Sequence, residues 1–155
     1  MNKPLKQPVS VLVVLHDGAG SVLLIERADK AGYWQSVTGS VEAGETPPET
    51  ALREVFEETG IRLSATPSDA DSDGLLTDWH FSSVYEIYPH WRYRYPEGIT
   101  HNREHVFSAR IPRTAEIRLL PEEHTACLWL PIQEAAEKVF SPSNRDAILQ
   151  LHRYG

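Results

Sequence analysis

The segment GSVEAGETPPETALREVFEETGI (residues 39–61) crowds glutamates into a chain whose net charge is already −7. Glu54, Glu57 and Glu58 are spaced i, i+3 and i+4, so their carboxylates are neighbours if the segment is helical. On an exposed face each like-charge pair costs only about 0.2–0.5 kcal/mol. In a cleft, two charges about 5 Å apart repel by about 3 kcal/mol at an effective dielectric constant of about 20. The spacing is therefore typical either of a solvated acidic face or of a site where a hard divalent cation lies among the oxygens.

The residues around these glutamates predict a helix from about Pro47 to Thr59. Thr46 suits the N-cap, Pro47 suits the first helical position, and Glu49 completes a capping box. Gly60 suits the left-handed position after the last turn. The three clustered glutamates then share one arc of the helix. The opposite arc, which we expect to face the core, carries Ala51, Leu52, Val55 and Phe56.

Length and composition indicate a single globular domain over residues 1–155, with 41% hydrophobic and 24% charged residues. The net charge of −7 argues against a general nucleic-acid binder, and no apolar run is long enough to cross a membrane. An anionic substrate would need a metal or clustered Arg and Lys side chains. Cys127 is the only cysteine, which fits a cytoplasmic protein, and its apolar surroundings predict a buried packing residue.

Short apolar and β-branched runs predict strands at residues 9–15, 22–27, 34–41, 82–88, 105–111 and 127–130. Helical patterns follow at residues 131–140 and 143–154, the second with Ser143 and Asp146 in capping-box spacing. Strands mixed with three helices favour an α/β or α+β sandwich.

Two loops stand out. The polar loop 66–74 carries Asp69, Asp71 and Asp73 like the start of an EF-hand, but the twelfth position is His80 instead of Glu, which favours a plain solvated loop. The loop 88–103 interleaves aromatic residues with arginines. It is either a surface loop whose rings cover the core or the wall of a pocket for an aromatic, anionic ligand.

Residues 39–61 resemble the Nudix box, G-x5-E-x7-R-E-U-x-E-E-x-G-U, in which U is a bulky aliphatic residue. The matching positions are Gly39, Glu45, Arg53, Glu54, Val55, Glu57, Glu58, Gly60 and Ile61. The resemblance implies a Nudix-type α/β/α sandwich with a central mixed β-sheet. It also implies hydrolysis of a nucleoside diphosphate linked to another group, or of a close analogue, with Mg²⁺ as cofactor and Mn²⁺ as a substitute.

The same resemblance implies a catalytic role for four box residues. Glu54 and Glu58 would be the main metal ligands, and Glu57 would be a further ligand or the base that activates water. Arg53 would hold a glutamate in place through an ion pair.

Three other box positions would be structural. Gly39 would let the backbone approach the metals closely. Glu45 would orient Arg53 or the helix start, and Gly60 would end the helix.

Outside the box, most of the chain resembles the bacterial dihydroneopterin triphosphate pyrophosphatases. The resembling stretches are YWQSVTGSVEAGET (33–46), YEIYPHWRYRYPEGITHN (85–102), EHTACLWL (123–130) and SPSNRDAI (141–148). This implies release of pyrophosphate from dihydroneopterin triphosphate, leaving the monophosphate, an early step of folate synthesis. The implied substrate contacts are Lys6, Arg27, Thr38, Tyr85, Glu86, Ile87, Tyr88 and Ser141.

These implied contacts have a physical rationale. Lys6 and Arg27 suit phosphate oxygens, and Thr38 or Ser141 suits the polar edge of a pterin ring. Two tyrosines, at positions 85 and 88, are three residues apart and point to opposite faces of a regular strand, so at most one would stack on the ring.

Glu123 would add a metal ligand from outside the box. From its spacing alone, an ordinary surface glutamate beside Glu122 is an equal alternative.

Two alternatives to the pterin substrate remain open at this point. A Nudix hydrolase of nucleoside triphosphates or dinucleoside polyphosphates would carry the same box. A non-catalytic Nudix-fold sensing domain would usually lack box carboxylates, all of which are present here. The expected partner is thus a small-molecule pterin or nucleoside triphosphate, bound by a monomer or a homodimer.

Overall fold

A mixed β-sheet forms the centre of the computed structural model, which describes residues 5–67 and 72–154. Within those ranges the sheet has eight strands. Their bounds are β1 Val9–His16, β2 Ser21–Arg27, β3 Trp34–Gln35, β4 Val37–Ser40, β5 Leu63–Ser64, β6 Gly74–Glu86, β7 His101–Arg110 and β8 His124–Pro131.

β1 lies in the middle of this sheet. It pairs antiparallel with β2 and β4 and parallel with β7. On one side β6 pairs antiparallel with β7, and β5 pairs parallel with β6. On the other side β2 pairs antiparallel with β3 and β8.

Helices cover both faces of the sheet, which confirms the predicted α/β/α sandwich. Alternate side chains of β1 enter two separate cores. Val11 and Val13 pack with residues of α1, whereas Leu12 and Val14 pack with residues of α2, α3 and α4. The helices are α1 Pro47–Thr59, α2 Ile132–Lys138, α3 Pro142–Leu149 and α4 Leu151–Tyr154, and Pro89–Arg94 forms a 3-10 helix.

The bounds predicted for α1 are confirmed. Thr46 and Glu49 form the reciprocal capping box, and Gly60 takes the left-handed conformation with φ of 77°. The prediction for Phe56 is wrong, since this side chain is 49% exposed with the Arg62 guanidinium over its ring. The reason is the rotation of the helix about its axis, which turns a different arc inward: Thr50, Ala51, Val55, Glu58 and Thr59.

Several other predicted boundaries also differ from the structure. β6 begins at Gly74, well before the predicted start at Ser82. The prediction missed the first part of the strand because a register shift between Asp78 and Ser82 interrupts the alternation of its side chains. His80 lies inside this irregularity with a positive φ of 52°. The run predicted as one strand at residues 34–41 is divided into β3 and β4.

At the C-terminus two predictions are wrong. The N-cap of α3 is Ser141, which accepts a hydrogen bond from the backbone N–H of Asn144, and Ser143 is inside the helix. The single helix predicted at residues 143–154 is divided at Gln150.

The burial predicted for Cys127 is also wrong, because Cys127 is exposed. Its strand, β8, pairs only with β2 and therefore lies at an edge of the sheet within the described ranges. Of the polar loop 66–74, Asp69 and Asp71 lie outside the described residues, and Asp73 accepts a hydrogen bond from the Arg62 N–H. In the ranges that the structure describes, every helix is too short or too polar to cross a membrane.

Candidate active site

Arg53 connects the loop before α1 to the glutamates on the helix. Its Nε and Nη2 donate to the two carboxylate oxygens of Glu45 at 2.8 and 2.9 Å. Its Nη1 donates to Glu54 at 2.7 Å and to Glu57 at 3.2 Å. The guanidinium plane therefore fixes three carboxylates at once, as the bidentate geometry of arginine allows.

Glu45 is held as a carboxylate by this contact. The hydrogen bonds from Arg53, despite partial desolvation, lower the pKa of Glu45 to about 2. Thr50 Oγ1 also donates to it at 2.6 Å. The predicted structural contact between Glu45 and Arg53 is thus present.

Gly39 lies directly beneath the Glu54 carboxylate. A Cβ atom at this position would overlap the Glu54 side chain. Gly39 pairs with Val11 in the sheet, so its missing side chain would point towards α1. The glycine therefore makes room for a carboxylate against β4.

Glu58 is the most unusual residue of the site, because a charged side chain occupies the inward arc of α1. It is only 1% exposed, and neither carboxylate oxygen accepts a hydrogen bond from the residues that the structure describes. Burial and the nearby Glu54 carboxylate raise the pKa of Glu58 well above its usual range. Burial raises the pKa of Glu54 as well, although Arg53 opposes this shift. Buried carboxylates normally have a compensating partner.

A divalent cation would supply that partner. The unpaired oxygens of Glu58, the adjacent Glu54 and the half-exposed Glu57 form an all-oxygen donor set, which is the kind that Mg²⁺ and Mn²⁺ prefer. Within residues 5–67 and 72–154, no three such side chains already enclose a position for an ion. Mg²⁺ normally keeps several waters and bridges to substrate phosphates, so a closed protein cage is not required.

Glu123 and His124 approach the site from the start of β8. The charge of Glu123 raises the pKa of Glu58, which indicates that the two carboxylates are near each other. His124 is buried, with Nε2 at 3.5 Å from Glu58 Oε1 and 3.3 Å from the Gln35 side-chain nitrogen. Burial, reinforced by the Arg27 charge, lowers the pKa of His124 to about 4.

Cationic side chains lie next to this acidic cluster. Burial and the charges of Arg94 and Arg27 lower the pKa of Lys6. The charges of Glu54 and Glu123 act in the opposite direction. Arg27 and Arg94 both lie over the ring of Trp91, with centroid distances of 5.0 and 5.4 Å. Two predicted phosphate contacts, Lys6 and Arg27, are therefore brought together beside the carboxylates.

The other predicted substrate contacts lie partly on a different face. Thr38 on β4 and Ser141 at the N-cap of α3 are half-buried on the side of the sheet opposite α1. Tyr85 is the penultimate residue of β6 and lies on that side, and its hydroxyl accepts a hydrogen bond from Asn102 at 3.2 Å.

Residues 86, 87 and 88 lie in three different environments in the structure. Glu86 pairs with Arg92 at 3.1 Å. Ile87 is buried, with its N–H and C=O already bonded to Thr100 and Arg92. Tyr88 lies beyond β6, so the opposite-face argument for Tyr85 and Tyr88 does not apply to the structure.

Sequence reasoning missed three residues of this site. The sequence places Arg94 only in an aromatic and basic loop, whereas in the structure its carbonyl oxygen accepts a hydrogen bond from the Lys6 N–H at 2.7 Å. Gln35 and His124 lie against Glu58 only because β3 and β8 flank β2. The available signal for His124 was its position next to Glu123.

Comparisons with known proteins agree with this geometry. Residues 6–151 match the NUDIX domain model. The chain is 41% identical over 150 residues to the dihydroneopterin triphosphate diphosphatase of Escherichia coli K12, covering 96% of this chain and 95% of that protein. It is 37% identical to the Haemophilus influenzae enzyme of the same name, covering 92% and 86%.

A solved structure is also similar to this chain. The E. coli dihydroneopterin triphosphate pyrophosphohydrolase superimposes with a TM-score of 0.84, covering 96% of this chain and 97% of that chain at 41% identity. The motif, the sandwich and these matches together establish that the chain belongs to the NUDIX domain family.

Proposed function

We propose that this chain hydrolyses dihydroneopterin triphosphate to dihydroneopterin monophosphate and pyrophosphate. The phosphoanhydride bond between the α- and β-phosphates breaks, and the oxygen of one water molecule forms the new bond to phosphorus. The observation that carries the proposal is the buried, unpaired Glu58 carboxylate beside Glu54. The relatives at 37–41% identity supply the choice of a pterin substrate.

The acidic cluster has a defined task in this reaction. Glu54 and Glu58 would hold the cation with Glu123 as a further donor, and Glu57 would be either another donor or the base that activates water. Mg²⁺, or Mn²⁺ in its place, neutralises phosphate oxygens and acidifies water when bound. As the base, Glu57 would accept a proton from water, because its side chain is 47% exposed and, among the described residues, it receives its hydrogen bond from Arg53.

The basic side chains beside the acidic cluster bind the triphosphate of the substrate. Lys6, Arg27 and Arg94 contact phosphate oxygens and offset their charge. Arg53 does not contact substrate and acts by holding Glu54 and Glu57 in position. Thr38, Ser141 and Tyr85 would surround the pterin.

The test compares pyrophosphate release from dihydroneopterin triphosphate with release from a panel of nucleoside triphosphates. We expect kcat/KM to be far higher for the pterin, activity to disappear with EDTA, and Mg²⁺ or Mn²⁺ to restore it. Equal turnover of all nucleotides would instead favour a general nucleoside triphosphatase. Binding without turnover would favour a sensing domain.

Glu58→Gln tests the carboxylate directly. Because it removes the charge without changing the shape, we expect turnover to be abolished while circular dichroism and thermal unfolding show an intact fold. Glu137→Gln is the matched control, since that side chain is exposed on α2, which covers the opposite face of the sheet from α1. Full activity of the Glu58→Gln variant would contradict the proposed role.

A further inference from the structure

A second set of polar side chains lies on the sheet face opposite α1, and three of them, Ser10, Asn102 and Glu104, are buried. We call it the β7 polar cluster: Ser10, Tyr85, Asn102, Glu104 and Ser143. Strand pairing brings it together, because Ser10 is opposite Glu104 and Tyr85 is opposite Asn102. None of these residues except Tyr85 has a role in the reaction proposed above.

Asn102 has an unused acceptor. It is 1% exposed, and its side-chain nitrogen donates to Ser10 Oγ at 2.7 Å and to the Tyr85 hydroxyl at 3.2 Å. Its Oδ1 is buried and has no hydrogen-bond partner in the part of the chain that the structure describes. Such groups are uncommon in folded proteins and call for an explanation.

Glu104 also has spare acceptor capacity. It is 4% exposed and receives a hydrogen bond from Ser143 Oγ at 2.9 Å. Burial raises the pKa of Glu104 to about 7, and only the Ser143 hydrogen bond opposes this shift. A carboxylate offers about four acceptor positions, so most of them lack a donor from the described residues.

The β7 polar cluster adjoins the residues assigned to the pterin. Tyr85 belongs to both sets, and Ser143 lies 3.0 Å from Ser141. Thr38 pairs with Leu12 on β1, two residues from Ser10, so Thr38 and Ser10 share this face of the sheet. The acceptors without donors on Asn102 and Glu104 therefore lie at the same end of the sheet as the residues expected to contact the pterin ring.

We propose that Glu104 and Asn102 determine specificity by accepting hydrogen bonds from the 2-amino-4-oxopyrimidine ring of the substrate. This inference rests on the proposed function and adds the residues that select the ring. The ring presents a ring N–H next to an exocyclic amino group. Two adjacent donors match the two oxygens of one carboxylate, as in other bidentate contacts, and Asn102 Oδ1 accepts the remaining amino hydrogen.

The chemistry predicts which bases the site accepts. Guanine carries the same two adjacent donors, whereas hypoxanthine lacks the amino group and adenine presents an acceptor in place of the ring N–H. A site built to accept hydrogen bonds disfavours analogues without donors, because its buried acceptors then stay unpaired. GTP should therefore bind better than ITP or ATP.

The first test uses the variants Glu104→Gln and Ser143→Ala. We expect Glu104→Gln to lower kcat/KM for dihydroneopterin triphosphate by roughly 10- to 100-fold, with no fall in the thermal midpoint. Ser143→Ala removes the donor that Glu104 has among the described residues and should change kcat/KM by less than about threefold. Equal losses in both variants, or none in Glu104→Gln, would overturn the proposal.

The second test needs no variant. GTP and ITP differ by the amino group alone, so their inhibition constants for wild-type pterin hydrolysis should differ by roughly tenfold in favour of GTP. Equal inhibition constants would contradict the role of the two acceptors.

The two proposals can fail separately. Wild-type protein that releases no pyrophosphate from the pterin substrate would refute the proposed function. In that event the dissociation constants of GTP and ITP, measured by calorimetry for wild type and Glu104→Gln, still decide the ring proposal. A preference for GTP that disappears in the variant supports it, and no preference in wild type refutes it.

Discussion

At the scale of single residues, the site depends on charges that are held in unequal environments. Arg53 keeps Glu45 ionised, with a pKa of about 2. Burial and the Glu54 charge push the pKa of Glu58 in the opposite direction. Glutamates of one short segment therefore have different tasks: Glu45 supports the geometry, and Glu58 is available to a cation.

Glu45→Gln should weaken the fold in a pH-dependent way. The folded pKa of Glu45, about 2, is below the ordinary value of 4.5, so its stabilisation is present above pH 4.5 and lost as the pH falls through about 2. We expect the variant to be less stable by about 1–2 kcal/mol at pH 6 and by less than half of that at pH 3. Urea unfolding at both pH values measures this, and a constant difference would contradict it.

Glu104→Gln should show the opposite pH dependence in the absence of ligand. The folded pKa of about 7 is raised from 4.5, so the wild type loses stability as the pH rises through this interval. The variant cannot ionise and should gain about 2 kcal/mol relative to wild type between pH 5 and pH 8. Urea unfolding at the two pH values is the measurement. If the variant and the wild type differ in unfolding free energy by the same amount at both pH values, burial does not raise the pKa of Glu104.

At the scale of elements, β4 and α1 form the metal side of the site together. Gly39 allows the Glu54 carboxylate to lie against β4, and the rotation of α1 turns Glu58 inward. The ion pair between Glu45, in the loop between them, and Arg53, on α1, holds that loop against the helix. The Nudix box thus fixes the distance and angle between a strand and a helix.

Gly39→Ala should displace the Glu54 carboxylate and weaken metal binding. We expect the affinity for Mn²⁺, measured by electron paramagnetic resonance, to fall by roughly 10-fold or more. Ser40→Ala is the control, because the next residue of β4 pairs with Ser10 and faces the other side of the sheet. Mn²⁺ affinities that match in both variants and wild type would contradict the role of Gly39.

The local signals of α1 were sufficient to predict its bounds, since the capping box and Gly60 act within the helix itself. They did not predict which arc faces inward, because tertiary packing decides that rotation. For the same reason the sequence indicated the acidic cluster but did not indicate the burial of Glu58 or the exposure of Phe56. β6 was found only in part, since the irregularity at His80 interrupts the period of two.

At the scale of the whole molecule, the sheet separates the proposed metal site from the proposed site for the pterin ring. The acidic cluster lies on the α1 face, and the β7 polar cluster lies on the face covered by α2 and α3. The short strand β4 belongs to both sides, because Gly39 points to α1 and Thr38 points away from it. A substrate that reaches both clusters must cross the end of the sheet near β4.

Asn144→Ala should loosen the face that carries the β7 polar cluster. Asn144 Oδ1 accepts from the Ser36 N–H at 2.8 Å, and its Nδ2 donates to Ser36 Oγ at 2.9 Å, which attaches α3 to the strands around β4. Leaving a buried N–H unpaired should destabilise the protein by about 1–3 kcal/mol. Urea unfolding measures this. Asp146→Ala, an exposed change on the same helix, should have little effect, and equal stability of both variants would contradict the role of Asn144.

The central claim is that α1 directs Glu54 and Glu58, with Glu57 beside them, at a bound divalent cation. The most direct test is an anomalous difference map from crystals soaked with Mn²⁺ and a non-hydrolysable triphosphate analogue. The account predicts a Mn²⁺ peak coordinated by Glu54 and Glu58 and bridged to the phosphates. A map in which the ion lies elsewhere, with these carboxylates bound to water or to protein alone, would contradict it.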